Sequence, residues 1–99
     1  MPLYIMLTTL TAEGSKTLTT HPDRVRAAND EVADYGCRVI DQYATLGPYD
    51  FVNIVEAPDN EAIAVLSAAL AARGSVTALT MPAVSTGDLL GRLKSARRP

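Results

Sequence analysis

The sequence predicts a single α+β domain of order β-α-β-β-α-β, in which two helices cover one face of a four-stranded antiparallel sheet. Four segments alternate β-forming side chains, and Gly47-Pro48 alone separates the second from the third. Two segments with helical spacing lie between strands, and each ends at a glycine, Gly36 or Gly74. The 99 residues, 47% of them hydrophobic and 20% charged, amount to one folded domain.

The first predicted strand runs from Leu3 to Leu10 and is apolar on both sides. Its side chains fall into two alternating sets: Leu3, Ile5 and Leu7, and Tyr4, Met6 and Thr8. A polar stretch, residues 11–20, follows, and Gly14 interrupts it. We expect no more than one helical turn there.

The first predicted helix opens at His21-Pro22-Asp23 and ends at Gly36. Proline suits the first helical position because its missing N–H would have no partner there, and Asp23 complements the positive end of the helix dipole. The predicted core stripe recurs at helical spacing: Val25, Ala28, Val32 and Tyr35.

The second and third predicted strands, Cys37–Leu46 and Tyr49–Ala57, form a hairpin across Gly47-Pro48. The second helix begins at Pro58-Asp59, where Asp59 is the expected N-cap, and ends at Gly74. Its predicted core stripe consists of Ile63, Leu66 and Leu70. Ser75–Ala83 is the fourth predicted strand, and a short terminal helix carries Leu89, Leu90 and Leu93.

The sheet face opposite the helices is expected to be bare. We predict that it carries Tyr4, Met6, Phe51, and Leu79 or Met81, which is more apolar surface than a monomer usually exposes. A homodimer or a higher even oligomer with sheets face to face would cover it, and a cavity between the sheets is the expected place for a small organic ligand.

Charge and cysteine content narrow the class of protein. The net charge of −2 argues against a nucleic-acid surface, which needs clustered Lys and Arg. Positive charge is concentrated in residues 86–99, which contain 4 basic and 1 acidic side chains. We therefore expect a separate basic helix or tail over residues 85–99.

The single Cys37 excludes an internal disulfide, and no spacing typical of metal ligands occurs in the sequence. No signal peptide or membrane span is apparent either. These features predict a cytoplasmic protein with no cofactor and no metal.

Two segments resemble the signature of GYD-domain proteins. They are Tyr43-Ala44-Thr45-Leu46-Gly47-Pro48-Tyr49-Asp50 and Ile54-Val55-Glu56-Ala57-Pro58-Asp59-Asn60-Glu61. The resemblance covers residues 1–84 and implies a ferredoxin-like fold related to the dimeric α+β-barrel proteins. The chain departs from the family's usual fourth strand, N-V-R-T-E-T-L-R-A-F, because residues 75–84 contain neither its arginines nor its glutamate. The resemblance thus implies a fold, and little chemistry.

The candidate site residues each have a structural alternative. Asp50 is a candidate general base at one mouth of the cavity, or a side chain that holds its own turn. Tyr43 and His21 are the other catalytic candidates, and His21 has a surface or capping role as its alternative. The expected ligand-binding residues are Tyr4, Met6, Tyr43, Tyr49, Phe51 and Asn53. The structural alternative for the tyrosines is that their rings pack at an interface.

Two functions from different classes fit this pattern. The first is a binding module whose cavity holds a small molecule, or whose dimer scaffolds other proteins through the basic tail. The second is a cofactor-independent α+β-barrel enzyme, of oxygenase, isomerase or cyclase type, acting on a small, partly apolar substrate. The absence of a convincing acid-base pair in the sequence favours the binding module.

Overall fold

A computed structural model describes residues 1–96 of the protein. The strands are β1 Leu3–Leu10, β2 Arg38–Ala44, β3 Phe51–Glu56 and β4 Val76–Ala83. The helices are α1 Ala12–Thr20, α2 Arg24–Glu31, α3 Asn60–Ala72 and α4 Thr86–Ala96, and a 3₁₀ turn, Val32–Tyr35, continues α2. The predicted α+β class is confirmed, with α1 as an added element. Of the predicted basic tail, residues 97–99 lie outside the described residues.

The strands form one antiparallel sheet in the order β2-β3-β1-β4, the ferredoxin-like arrangement. Met6 in the central strand β1 lies opposite Asn53 of β3 and Thr80 of β4. The outer strand β2 pairs with β3 and shifts register between Val39 and Asp41, which is a local bulge. The register determines which side chains share each face of the sheet.

Helix α1 corrects the expectation of a single turn after β1. The Thr11 side chain accepts a hydrogen bond from the Gly14 N–H at 3.1 Å and so caps the helix. Gly14 is buried against Ser75, the residue that precedes β4, where an added Cβ would lie 2.0 Å from the Ser75 backbone oxygen. Glycine therefore lets α1 approach the sheet, and it does not interrupt the helix.

The predicted helix ends agree with the structure. Asp59 caps α3 by accepting a hydrogen bond from the Ala62 N–H at 2.8 Å. Gly36 and Gly74 have positive φ angles, 73° and 77°, as expected for residues that end helices in the left-handed conformation. Helix α2 begins at Arg24, immediately after the turn that contains Pro22.

The core lies between the sheet and the helices, and it contains residues that were expected on the bare face. Tyr4 and Met6 are buried with Ile63 and Leu66 of α3. The register puts Phe51 on this same face, opposite Thr8. The expectation that Tyr4, Met6 and Phe51 form the bare face is therefore wrong.

Polar partners explain which face the helices cover. The Tyr4 hydroxyl donates a hydrogen bond to the Asn60 side chain at the start of α3, 2.6 Å away. The buried Asn53 amide accepts a hydrogen bond at 2.7 Å from Gln42, which in turn bonds Asn29 on α2. Buried polar groups need such partners. On the opposite side, the central side chains of β1 and β3 are aliphatic, and they need none.

Candidate functional site

The sheet face turned away from α1, α2 and α3 is continuous and apolar, and is here called the open face. By the register of the sheet it comprises Leu3, Ile5, Leu7, Tyr43, Val52, Ile54, Leu79 and Met81. Leu79 and Met81 on the outer strand β4 are 48% and 40% exposed, and Tyr43 on β2 is 59% exposed. The expectation of an apolar open face with Leu79 or Met81 is confirmed, and both residues belong to it.

One end of the open face carries charge. Arg38 on β2 lies opposite Glu56 on β3, and the two side chains form an ion pair. Asp41 follows on the same face of β2. The ion pair is internally neutral and lies at the end of strand β3, whereas Asp41 is a charge on the outer strand β2, opposite Ile54. On this face the two central strands, β1 and β3, therefore carry no charged side chain apart from Glu56.

A cavity of about 260 Å³ lies on the other side of the sheet, beneath the helices, and is here called the sheet–helix cavity. Its floor includes Met6, Phe51 and Val55 of the sheet. Helix α2 provides Val25 and Ala28 as the outer wall. The cavity is mostly apolar, as is usual for small-molecule sites.

Amide side chains form the polar patch in this cavity. Asn29 donates to the Gln42 carbonyl at 2.8 Å, and Gln42 donates to the Asn53 carbonyl at 2.7 Å. Asn53 then donates to the backbone oxygen of Met6 at 2.8 Å and to the Thr8 hydroxyl at 3.4 Å. This amide chain links α2 to the centre of the sheet.

The structure separates the six expected ligand-binding residues. Met6, Phe51 and Asn53 line the sheet–helix cavity. Tyr4 is 3% exposed and bonded to Asn60 within the core. Two lie elsewhere: Tyr43 on the open face, and Tyr49 in the hairpin turn, where its backbone oxygen accepts from Thr45 at 2.7 Å. The predicted cavity between two sheets therefore cannot include four of these residues, because they lie on the helix-covered face: Tyr4, Met6, Phe51 and Asn53.

The three catalytic candidates lie on separate elements. Asp50 accepts a hydrogen bond from the Leu10 N–H at 2.7 Å and ties the hairpin to the end of β1. Tyr43 is on β2, and His21 is an exposed residue at the end of α1, 3.0 Å from the Thr20 hydroxyl. Among residues 1–96, no hydrogen bond joins any two of the three candidates.

Sequence reasoning missed Thr8, Asn29 and Gln42 as residues of the cavity. Thr8 and Gln42 sit at ordinary strand positions. Asn29 lies four residues after Val25 and three before Val32, on the same helix face as the apolar stripe, where a polar side chain was not expected. One signal was available, because a buried asparagine such as Asn53 in a strand requires polar partners from neighbouring elements.

Cys37 is buried, as its position after Gly36 predicted. Burial raises the pKa of its thiol, and the negative charge of Asp59 raises the pKa further. No three His, Cys, Asp or Glu side chains within residues 1–96 are grouped to hold a metal ion. Over the same residues, no helix has both the length and the apolar character that crossing a membrane requires.

Comparison with known proteins agrees with the fold. A protein of Thermus thermophilus named glutamine synthetase and cystathionine beta-lyase binding protein is 50% identical over 95 residues, which cover 95% of this chain and all of the relative. The crystal structure of TTHA0845 from the same organism matches with a TM-score of 0.55 at 23% identity, covering 87% of this chain and 96% of that one. At this identity the structural likeness shows the fold alone.

The family assignment comes from the sequence match. Residues 4–91 match the GYD domain family over most of the chain, including the hairpin and the start of α3. The four-stranded sheet with its helices is consistent with that match. The chain belongs to the GYD domain family.

Proposed function

We propose that this protein is a homodimeric protein-binding module, in which the open faces of two copies pack against each other. The observation that supports it most directly is the open face, where eight apolar side chains lie together and charge is confined to strand β2 and the Glu56 end of β3. Contiguous apolar patches of this kind mark interaction sites. A second copy offers the same face, so a two-fold axis satisfies both at once.

Substitutions on the open face test the dimer. Leu79→Lys combined with Met81→Lys places two charges where the wild-type side chains are already 48% and 40% exposed in one chain, so the monomer fold is expected to persist. The mass in solution should fall to that of one chain, because lysines are costly to bury between two sheets. Light scattering after gel filtration measures the mass.

Val65→Lys is the matched control, because Val65 is 56% exposed on α3, away from the open face. It should leave the oligomer unchanged. An unchanged mass in the double variant, with circular dichroism like that of the wild type, would remove the open face from the interface.

The protein-binding part of the proposal is supported by the 50% identical relative, whose name describes binding to glutamine synthetase and cystathionine beta-lyase. Helix α4 offers a contact surface separate from the open face. Its apolar side chains, Leu89, Leu90 and Leu93, are 49%, 52% and 51% exposed. We place the contact with a partner enzyme on this helix, next to its basic residues Arg92 and Lys94.

Binding to the two Thermus thermophilus enzymes tests this contact. The immobilised protein should bind at least one of them, measured by biolayer interferometry, with the Thermus relative as the positive control. Leu90→Ser with Leu93→Ser should weaken binding by about tenfold or more, since truncating apolar contacts at an interface costs of order 1–2 kcal/mol each. Val65→Ser is the control variant. If the relative binds and this chain binds neither enzyme, the partner assignment fails.

A small-molecule site is a second part of the proposed function, and we place it in the sheet–helix cavity. Three expected ligand-binding residues, Met6, Phe51 and Asn53, line this cavity, whereas Tyr43 alone of the six lies on the open face. Because Asp50, Tyr43 and His21 lie on separate elements, the arrangement supports binding in preference to oxygenase, isomerase or cyclase chemistry.

A further inference from the structure

We infer, on the basis of the small-molecule site proposed above, that the sheet–helix cavity takes an uncharged one-ring molecule with a carbonyl or ether oxygen, which the Thr8 hydroxyl recognises beneath helix α2. Four observations support this inference: the size of the cavity, its neutral polar patch, the position of the nearby charges, and the exposure of α2.

The volume limits the size of the ligand. An apolar cavity of about 150 Å³ holds a benzene molecule, so about 260 Å³ has room for one ring with a short substituent. A ring finds apolar contacts with Leu66 and Leu70 of α3, and with Met6 and Phe51 on the floor. A methionine thioether adapts to aromatic rings.

The polar patch determines the ligand's functional group. Asn53 and Thr8 are each 6% exposed, and Asn53 already uses its amide toward Met6, Thr8 and Gln42. The Thr8 hydroxyl accepts from Asn53, and among the described residues its own hydrogen is not donated to any side chain. A hydroxyl retains this donor capacity after accepting. A ligand oxygen that accepts a hydrogen bond would satisfy it.

The charges around the cavity favour an uncharged ligand. Arg24, Glu31 and Arg73 are the charged residues at its lining, and all three are exposed. Glu31 on α2 and Arg73 at the end of α3 form an ion pair, so neither is available to neutralise a charged group inside. Arg24 is the charged residue of the lining outside this ion pair, and its side chain is exposed, whereas the polar patch at Thr8 and Asn53 is made of neutral groups. An ionised group buried at that patch would therefore lie among uncharged partners, which is unfavourable.

Helix α2 is the movable wall of the site. None of its eight residues is buried, and its polar ties to the rest of the fold are the Asn29–Gln42 amide pair and the Glu31–Arg73 ion pair. A helix with no buried residue and few polar contacts to the rest of the fold opens at low free energy. A ligand packed against Val25 and Ala28 would add apolar contacts that hold α2 closed.

Three matched probes test the site and the ligand class: acetophenone, ethylbenzene and benzoate. Acetophenone has the ring and a neutral acceptor, ethylbenzene lacks the acceptor, and benzoate is charged. Titrations followed by amide NMR shifts should show acetophenone binding about tenfold more tightly than ethylbenzene, the ratio that one ordinary hydrogen bond supplies, and benzoate binding more weakly than either. Thr8→Val should abolish the preference for acetophenone over ethylbenzene while ethylbenzene binding persists.

Hydrogen exchange locates the site. Saturating acetophenone should slow amide exchange most in residues 24–31, and Ala28→Leu, which fills the cavity from α2, should remove that protection. Ala64→Leu on the exposed side of α3 is the control. If no probe binds, the small-molecule site itself fails. If ethylbenzene or benzoate binds as tightly as acetophenone, a site exists but the proposed ligand class is wrong. If the protection from exchange falls on α4, the proposed location of the site is wrong.

Discussion

At the residue scale, Asp50 shows how a candidate catalytic group becomes a structural one. Its carboxylate accepts from the Leu10 N–H at 2.7 Å, its own N–H donates to the Thr8 oxygen at 2.9 Å, and its backbone oxygen accepts from the Thr45 N–H at 2.8 Å. The turn residue therefore joins both ends of the hairpin to β1.

Asp50→Ala should destabilise the protein by about 1–3 kcal/mol, because it leaves the half-buried Leu10 N–H without its acceptor. Asp50→Asn keeps a side-chain oxygen in place and should cost less. Urea unfolding at one fixed protein concentration measures both free energies. Equal stability of Asp50→Ala and the wild type would show that the hydrogen bond does not hold the hairpin.

Cys37 gives a pH dependence with a definite sign. Burial and then the charge of Asp59 raise its pKa in the folded protein, so folding favours the neutral thiol. Its contribution to stability is complete below the pKa of the unfolded thiol and is lost as pH rises through the folded-state value. The difference in unfolding free energy between wild type and Cys37→Ala should therefore shrink over the interval that begins at roughly pH 8.5, the pKa of an unfolded thiol, and runs up to the raised folded-state pKa. A constant difference over that interval would contradict the assigned shift.

At the element scale, the sequence predicted the helices that have an apolar stripe, or an N-cap at one end and a glycine at the other. It did not predict helix α1. Helix α3 begins at its Asp59 cap and ends before Gly74, as the sequence predicts. Helix α1 is polar, and its only buried residue is Gly14, whose packing role depends on the backbone of Ser75, distant in sequence, between α3 and β4. Local patterns do not contain such contacts.

The contact between α1 and Ser75 predicts opposite effects for two glycines. Gly14→Ala should destabilise the protein by about 1–3 kcal/mol, because its Cβ would lie 2.0 Å from the Ser75 oxygen and the two elements would have to separate. Gly91→Ala in α4 meets no atom within 4 Å and should be neutral or stabilising by up to about 1 kcal/mol. Thermal unfolding followed by circular dichroism compares them. A Gly14→Ala variant as stable as Gly91→Ala would mean that α1 does not pack closely against Ser75.

Strand β1 shows why the faces of the sheet could not be assigned from the sequence. Both sets of its side chains are apolar enough for a core, so hydrophobicity alone does not decide which face the helices cover. The decision depends on polar partners from other elements, Asn60 for Tyr4 and Gln42 for Asn53. The alternation of side chains along the strands could therefore be predicted from the sequence, but the sheet face that the helices cover could not.

At the scale of the whole molecule, the protein has two surfaces of different character on the two sides of one sheet. The helix-covered side contains the core and a small cavity with a neutral polar patch. The open face is an apolar layer that one chain leaves exposed at Tyr43, Leu79 and Met81. The existence of an apolar open face followed from the number of helices and strands, whereas the polar patch of the cavity depends on groups brought together from α2, β2, β3 and β1.

The mass of the wild-type protein in solution tests the central claim most directly. Sedimentation equilibrium at micromolar concentration should give twice the 10.5 kDa of one chain, or a higher even multiple, because the open faces of two copies cover each other. A single 10.5 kDa species under the same conditions would contradict the account, since the open face would then be in contact with water.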